Sequence, residues 1–279
     1  MGGARSSALE FSFEVLGGGE ENMFEVAEAY ERQRGRSSKL LAPLFADFAG
    51  VRGAVLDVGC GTGALTFAIA KNPAVSKIIG LDLSEAFLAY ARSKTVDPRI
   101  LFEQGDAQKL PFPDNAFDCC LALLVVGFIP DAPSAAREMR RVTRLGGVVA
   151  TAWWDNSVGN ELNQSLWDAA RSLGPKGPQI SSGLGFYGTA EALSSLGASA
   201  GLTNIEVKNI VFPCSFDSFN DYWQPLTEGQ GPDGTYIRGL SDEKRATLRE
   251  LLRQNHFSSR PDGPFTLQAK AWAVRGVVP

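Results

Sequence analysis

The residues with the most chemical content cluster at Asp57-Val58-Gly59-Cys60-Gly61-Thr62-Gly63, and two further acids, Asp82 and Asp106, follow downstream. Three glycines in five residues let a chain turn tightly and bring bare backbone against a ligand. A helix starting directly after such a turn presents free N–H groups and a positive dipole end to an anionic group. Gly59-x-Gly61-x-x-Ala64 satisfies the dinucleotide pattern G-x-G-x-x-G/A. Asp82 lies 82 − 59 = 23 residues after Gly59, about where that pattern places its ribose-binding acid. Asp57 points to a different ligand. A carboxylate two residues ahead of the first glycine repels a pyrophosphate and attracts an ammonium. The turn therefore suits a ligand end that carries both an ammonium and a carboxylate.

These residues act together only if strands and helices bring them to one edge. Ala54–Val58 and Lys77–Asp82 are short apolar runs, each with an acid at or near its end, and Ala64–Ala70 between them is rich in helix formers. That order predicts a βαβ unit with a buried parallel sheet. Ser84–Arg92 reads as a helix with Ser84 as N-cap, Ile100–Glu103 as a third strand and Phe117–Leu121 as a fourth. Asp131–Arg144 reads as a helix stopped at Gly146-Gly147, and Val148–Trp153 as a fifth strand. Adjacent Cys119 and Cys120 then point to opposite faces as buried thiols. Asn160–Ser172 and Thr189–Ala200 read as helices, and Ser241–Gln254 as a charged amphipathic one. Ile205–Lys208 and the alternation from Phe265 to Ala273 read as two late strands, one near an edge. Before the first strand, Asn22–Arg34 and Ser38–Phe48 read as helices, with Ala42-Pro43 marking a start or kink. Residues 1–21, with several Gly and Ser, read as a flexible segment. The alternation of strand and helix predicts one doubly wound α/β domain over 22–279. Within it, 22–50 is an N-terminal helical cover and 155–187 a substrate-side insertion.

In order and spacing, residues 30–155 resemble the class I S-adenosylmethionine-dependent methyltransferases, in particular their ubiquinone/menaquinone C-methyltransferase-like small-molecule branch. The resemblance rests on the Gly-rich turn, Asp82, Gly105-Asp106-Ala107, Pro113–Asp118 ahead of the fourth strand, and Val142–Gly147 ahead of the fifth. Leu145 stands where that family more often has Pro. The resemblance implies a Rossmann-like sheet of about seven strands, mostly parallel with an antiparallel last strand, plus N-terminal helices and a helical cover. It implies S-adenosylmethionine as cofactor, with Asp57 on the ammonium and Gly59, Cys60, Gly61 and Gly63 along the turn. Asp82 would take both ribose hydroxyls with Leu83 beside it, Asp106 and Ala107 the adenine, and Leu123 the end of the fourth strand. From the N-terminal cover, Tyr30 or Arg36 would contact the cofactor.

Trp153-Trp154-Asp155 follows the fifth strand, at the carboxyl edge where α/β sheets bind ligands. Phe128, Trp154, Tyr187, Trp223 and Gln230, the last in the loop Gly229–Pro232, are expected to line a substrate cavity. Asp155 or a Tyr is the available base if the acceptor needs deprotonation. The only His, His256, reads as an exposed loop or helix-end residue without a catalytic role. No Asn-Pro-Pro-Tyr occurs, and no His stands near Gly127-Phe128, where many relatives carry one. The basic stripe Arg137, Arg141 and Arg144 reads as a solvated helix face.

Lys plus Arg number 27 and Asp plus Glu 31, so the net charge of −4 argues against nucleic acid held by phosphate neutralisation. The longest apolar stretch, Cys119–Ile129, is too short for an integral membrane segment. Four Cys do not make a disulfide scaffold, and a single His excludes His-rich metal sites. The expectation is a soluble, cytoplasmic protein that meets a small-molecule substrate. Two alternatives stay open on the same turn: an NAD-dependent oxidoreductase, and a non-catalytic cofactor-binding relative. A carbon, oxygen or sulfur acceptor is equally open.

Overall fold

The computed structural model describes residues 27–157, 159–173, 186–229, 231–258 and 261–279. The expected flexible segment 1–21, the start of the first helix with Phe24 and Val26, positions 174–185 of the insertion, and Gln230 lie outside the described residues. Seven strands form one sheet: β1 (Gly53–Val58), β2 (Val75–Asp82), β3 (Ile100–Gln104), β4 (Phe117–Leu123), β5 (Thr143–Trp154), β6 (Thr203–Phe216) and β7 (Phe265–Val277). Their order is β3-β2-β1-β4-β5-β7-β6. β1 to β5 pair in parallel, and β7 runs antiparallel between β5 and β6. The fold is the expected Rossmann-like one, with its order reversing between β1 and β4, where open α/β sheets bind ligands.

The described helices are α1 (Arg36–Ala49), α2 (Ala64–Ile69), α3 (Glu85–Ser93), α4 (Ala132–Val142), α5 (Glu161–Arg171), α6 (Ala190–Ser199), α7 (Phe219–Glu228), α8 (Gly231–Arg238) and α9 (Asp242–Phe257). The sheet's two faces carry separate apolar clusters, and strand alternation sorts residues between them. Val55, Ile78, Cys119 and Ala150 pack on one face, and Leu56, Ile79, Cys120 and Val149 on the other. Cys119 and Cys120 thus lie on opposite faces, and all four Cys are buried and unbridged.

Several local expectations are corrected by packing. The first two helices form one continuous rod, because a π-helical segment, Glu31–Gly35, joins residues 27–30 to α1. Pro43 sits inside α1 and does not interrupt it, since Leu41, Ala42, Phe45 and Ala46 bury that face. α4 ends at Val142, and Thr143 already pairs with Phe117 across a register shift, so β5 starts five residues early. β6 runs far beyond Ile205–Lys208 as an edge strand with one half-exposed face. The loop expected at Gly229–Pro232 passes into α8 at Gly231. The basic stripe is not merely solvated. Arg141 bonds Glu138, Asp114 and the carbonyls of Leu110 and Phe112, and Arg144 pairs with Asp118.

Candidate functional site

The carboxyl ends of β1 to β4 converge on the Gly-rich turn. Gly59 and Cys60 donate N–H bonds of 2.7 and 3.0 Å to the Leu81 carbonyl, which fastens the turn to β2. Gly59, Gly61 and Gly63 have φ of +67°, +53° and +91°, the left-handed region that side chains resist. At Gly59 a Cβ would stand 2.3 Å from Val125, so close approach also requires glycine there. At Gly61 a Cβ would meet nothing within 4 Å, so the turn presents bare backbone to open space.

Asp57, the next-to-last residue of β1, lies beneath this turn and is 1% exposed. One carboxylate oxygen, Oδ2, accepts a 2.6 Å bond from the Thr66 hydroxyl at the start of α2. The other, Oδ1, is buried without a partner. Burial, reinforced by the Asp82 charge, pushes this carboxyl up to about 7 against the opposing Thr66 bonds. A buried carboxylate with one unmet oxygen favours a cationic donor above it.

Asp82 ends β2. Its Oδ2 accepts from the Gly61 N–H at 2.8 Å and its Oδ1 from the Ser84 N–H at 2.9 Å. Burial raises its carboxyl as well. Leu83 beside it is 64% exposed, an open apolar surface next to the acid. Asp106 follows β3 and closes a turn by accepting from the Gln108 N–H at 2.8 Å. Ala107 and Leu123 are buried, the latter at the end of β4. Burial, with Asp57 and Asp82 nearby, drives the Cys60 thiol well above its usual range, so it is no thiolate nucleophile.

The N-terminal rod behaves unevenly. Tyr30 reaches the site: its ring lies 5.0 Å from Phe87, and burial, with Asp82 among the charges acting on it, raises its hydroxyl. Arg36 does not. It forks onto Asp221 at 2.7 and 2.8 Å and donates to the Ser215 carbonyl, because a facing carboxylate matches the guanidinium plane. Glu31, unforeseen in the sequence, accepts from the Thr62 hydroxyl of the Gly-rich turn and from Lys39. No spacing signal marks it, since Glu31 and Thr62 meet only through the fold.

The expected substrate-side aromatics do not form one wall. Trp153 and Trp154 point to opposite faces, and their partners divide with them. Phe128, 57% exposed, meets Trp153 edge-on at 5.3 Å, and Tyr187 packs in that same cluster. Trp154 stacks on Phe212, and Trp223 is buried against Phe219 on the other face. Asp155 is 2% exposed and accepts from the Ser157 N–H and the Asn209 amide, both at 2.7 Å. Burial pushes its carboxyl up, but bonds from Ser157, Asn209 and Trp272 outweigh that and hold it below the usual range. It fastens the chain after β5 and is a poor base. His256 lies at the end of α9, half-buried, with its ring stacked on Phe265 at 5.2 Å.

A second concavity adjoins the rod, between the π-helical segment, α5, β6 and α7–α8. Gln33, Arg34, Arg36, Tyr222 and Asp233 are among its lining residues. Among the described residues, no group of His, Cys, Asp and Glu could hold a metal ion.

Residues 56–151 match the family model described as a methyltransferase domain. This stretch, which runs from β1 to β5, is similar to a methyltransferase domain. Curated relatives agree. A malonyl-[acyl-carrier protein] O-methyltransferase of Pectobacterium atrosepticum is 38% identical over 135 residues, which is 48% of this chain and 51% of that protein. A demethylmenaquinone methyltransferase of Staphylococcus aureus is 39% identical over 100 residues, 34% of this chain and 40% of that protein. The chain thus spans about half or less of these relatives' length. Among solved structures, the YcgJ protein of Bacillus subtilis superposes with a TM-score of 0.53 at 20% identity, covering 86% of this chain and 97% of that one. Two features of the site fit S-adenosylmethionine as a ligand: the unpartnered Asp57 oxygen and the open face of Gly61. The NAD-dependent alternative is not favoured.

Proposed function

We propose that the protein transfers the methyl group of S-adenosylmethionine to a small, apolar or aromatic metabolite. The observation that carries the reading is the buried, half-satisfied Asp57 carboxylate under a left-handed glycine turn. S-adenosylmethionine supplies a sulfonium-activated methyl group. Asp57 holds the ligand's ammonium through Oδ1, while Gly59, Cys60, Gly61 and Gly63 let its amino-acid end lie on backbone. Asp82 takes the ribose hydroxyls with Leu83 alongside. Asp106 and Ala107 border the adenine, and Leu123 closes the β4 side. Tyr30, beside Asp82, covers the site from the N-terminal rod, and the Glu31–Thr62 bond pins that rod to the turn.

The chain's contribution to rate is alignment of donor and acceptor with exclusion of water, a mode worth about 7–11 kcal/mol. This suits a site in which the candidate carboxylates serve binding and Asp155 is committed to structure. The acceptor is therefore one that is already nucleophilic at carbon, oxygen or sulfur. Phe128, exposed against Trp153 just after β4, and Tyr187, packed on the same cluster, are the aromatic side chains assigned here to the acceptor. The domain is read as one unit over 22–279, with 22–50 as cover and 155–187 on the substrate side. A reduced, cytoplasmic setting fits the four unbridged Cys, and a net charge of −4 fits a small-molecule acceptor over nucleic acid. Among the described residues no helix is long and apolar enough to cross a membrane.

Calorimetry with S-adenosylmethionine and with NAD tests the cofactor assignment: NAD binding without S-adenosylmethionine binding overturns it. Transfer of labelled methyl across a metabolite panel tests turnover, and absence of any product favours a non-catalytic binding role.

A further inference from the structure

Asp57 and Asp82 lie near the ends of neighbouring strands at one turn, and their carboxylates are held differently. Asp82 has a backbone N–H on each oxygen, from Gly61 and from Ser84. Asp57 has the Thr66 hydroxyl on Oδ2 at 2.6 Å, and its Oδ1 is buried without a partner. The two oxygens of a carboxylate are equivalent until a donor distinguishes them. Here that donor is Thr66. Its side chain is fully buried, and a β-branched side chain has few χ1 settings, so the hydroxyl is held in place.

The hydroxyl does not take the acceptor a helix usually offers. Ser and Thr within helices commonly bond back to the carbonyl four residues earlier. Ser165, Ser194 and Thr247 do so in α5, α6 and α9. Thr66 turns instead to Asp57, nine residues earlier on β1. The backbone between them is itself tied together. The Gly63 N–H bonds the Cys60 carbonyl and the Phe67 N–H bonds the Gly63 carbonyl, both at 2.9 Å. The Gly-rich turn and the first turn of α2 thus form one hydrogen-bonded run, and the Thr66–Asp57 bond closes it onto the strand it left.

Taking Asp57 as the partner of the cofactor's ammonium, as in the proposed function, we propose that Thr66 is a positioning residue for that contact: by donating to Oδ2 it leaves Oδ1 as the one oxygen offered to the ammonium. The same bond favours the ionised carboxylate, because a hydroxyl donor stabilises the charged form. The surroundings work against it. Burial and the Asp82 charge from β2 both raise the Asp57 carboxyl. The Cys60 thiol of the turn and the Cys120 thiol of β4, which also face it, are held well above their usual range and stay neutral. α2, with the sequence Ala64–Ile69, carries no titratable side chain. The Thr66 backbone N–H acts in the same direction as its hydroxyl. Without the hydroxyl, Asp57 keeps its proton to higher pH, and a protonated carboxyl offers an ammonium no charge.

S-adenosylhomocysteine is the probe, since it keeps the amino-acid end of the cofactor and lacks the sulfonium charge. Its affinity for the full chain is measured by calorimetry at pH 6, 7 and 8. Each variant is compared with the natural protein at the same pH, so titration of the ligand cancels. Loss of a hydrogen bond to a charged group should move the Asp57 midpoint up by about one to two pH units. Thr66→Val should therefore weaken binding about 10- to 100-fold at pH 6, narrowing to about 2- to 10-fold at pH 8. Thr66→Ser keeps the hydroxyl and should stay within about twofold of the natural protein throughout. A purely structural role would cost the same factor at every pH. NMR titration of the labelled Asp57 carboxyl in the ligand-free protein should show the same upward shift in Thr66→Val and none in Thr66→Ser. Thr66→Ala replaces Thr66→Val if the latter does not fold. A deficit independent of pH, an unmoved Asp57 midpoint, no rescue by Thr66→Ser, or loss of the folded state in both the Val and Ala variants overturns the inference. Failure of the natural protein to bind S-adenosylhomocysteine overturns the proposed function instead, and the carboxyl titration still reports on the Thr66 bond.

Discussion

Replacing Asp57 by Asn separates the needs of the cofactor from the needs of the fold. The Asp57 carboxyl lies at about 7 in the folded chain against 3.8 when unperturbed, with burial as the main cause. That gap is about 3 pH units, and at about 1.36 kcal/mol per unit the folded protein gives up about 4 kcal/mol to keep the group ionised. The sign follows from proton uptake. The unfolded chain releases this proton near pH 4 and the folded chain only near pH 7, so stability is lost as pH rises between them. The amide of Asp57→Asn is uncharged throughout and can still accept the Thr66 hydroxyl bond. The variant should therefore be more stable than the natural protein above pH 7, by about 2–4 kcal/mol once some repacking loss is allowed. At about 2–4 °C per kcal/mol for a chain of this size, the melting temperature should rise by about 4 °C or more. The gain should shrink steadily toward pH 4. Cofactor affinity should move the other way. Loss of a charge-assisted bond, about 1.5–3 kcal/mol, weakens S-adenosylmethionine roughly 10- to 150-fold. In the natural protein, affinity should climb from pH 5 to 7 by up to about tenfold per unit, and the variant should lack that slope. Calorimetric titration and thermal melts at pH 5, 6, 7 and 8 read both effects. A variant that melts no higher at pH 8 and binds the cofactor as tightly as before would refute the reasoning.

Three further outcomes follow from local geometry. Gly61→Val places a branched side chain at φ +53° and in the open face of the turn, so cofactor affinity should fall more than tenfold while stability drops only about 1–2 kcal/mol by strain, checked by calorimetry and melting. Arg36→Ala should leave S-adenosylmethionine affinity unchanged and cost about 1 kcal/mol or less, since its ion pair with Asp221 is partly exposed. A large loss of cofactor affinity would return Arg36 to the cofactor site. Asp155→Ala strands the Asn209 amide and the Ser157 N–H, so denaturant unfolding should show a loss of about 2–3 kcal/mol with cofactor affinity retained.

What spacing alone could determine is the carboxyl-edge site. Asp57, the glycines, Asp82 and Asp106 each sit within a few residues of a strand end. A parallel sheet brings consecutive strand ends to one edge whatever the details of its helices. The period-2 alternation of strands likewise determined the opposite faces of Cys119 and Cys120. The same rule, applied to Trp153 and Trp154, already implied that the substrate-side aromatics divide, but composition drew them into one group. The remaining features depended on partners remote in sequence. Arg36 is diverted by Asp221, 185 residues away, and Arg34 by Asp233, 199 residues away. Glu31 meets Thr62 only because a π-helical segment joins two stretches that read separately as helices. The short-range pattern carries no record of such pairings, because a guanidinium or amide takes whichever complementary group the packed chain delivers. Tertiary structure alone left the Gln33 amide and the Tyr222 hydroxyl buried without partners, because only packing decides which polar groups lose water and which find a replacement for it.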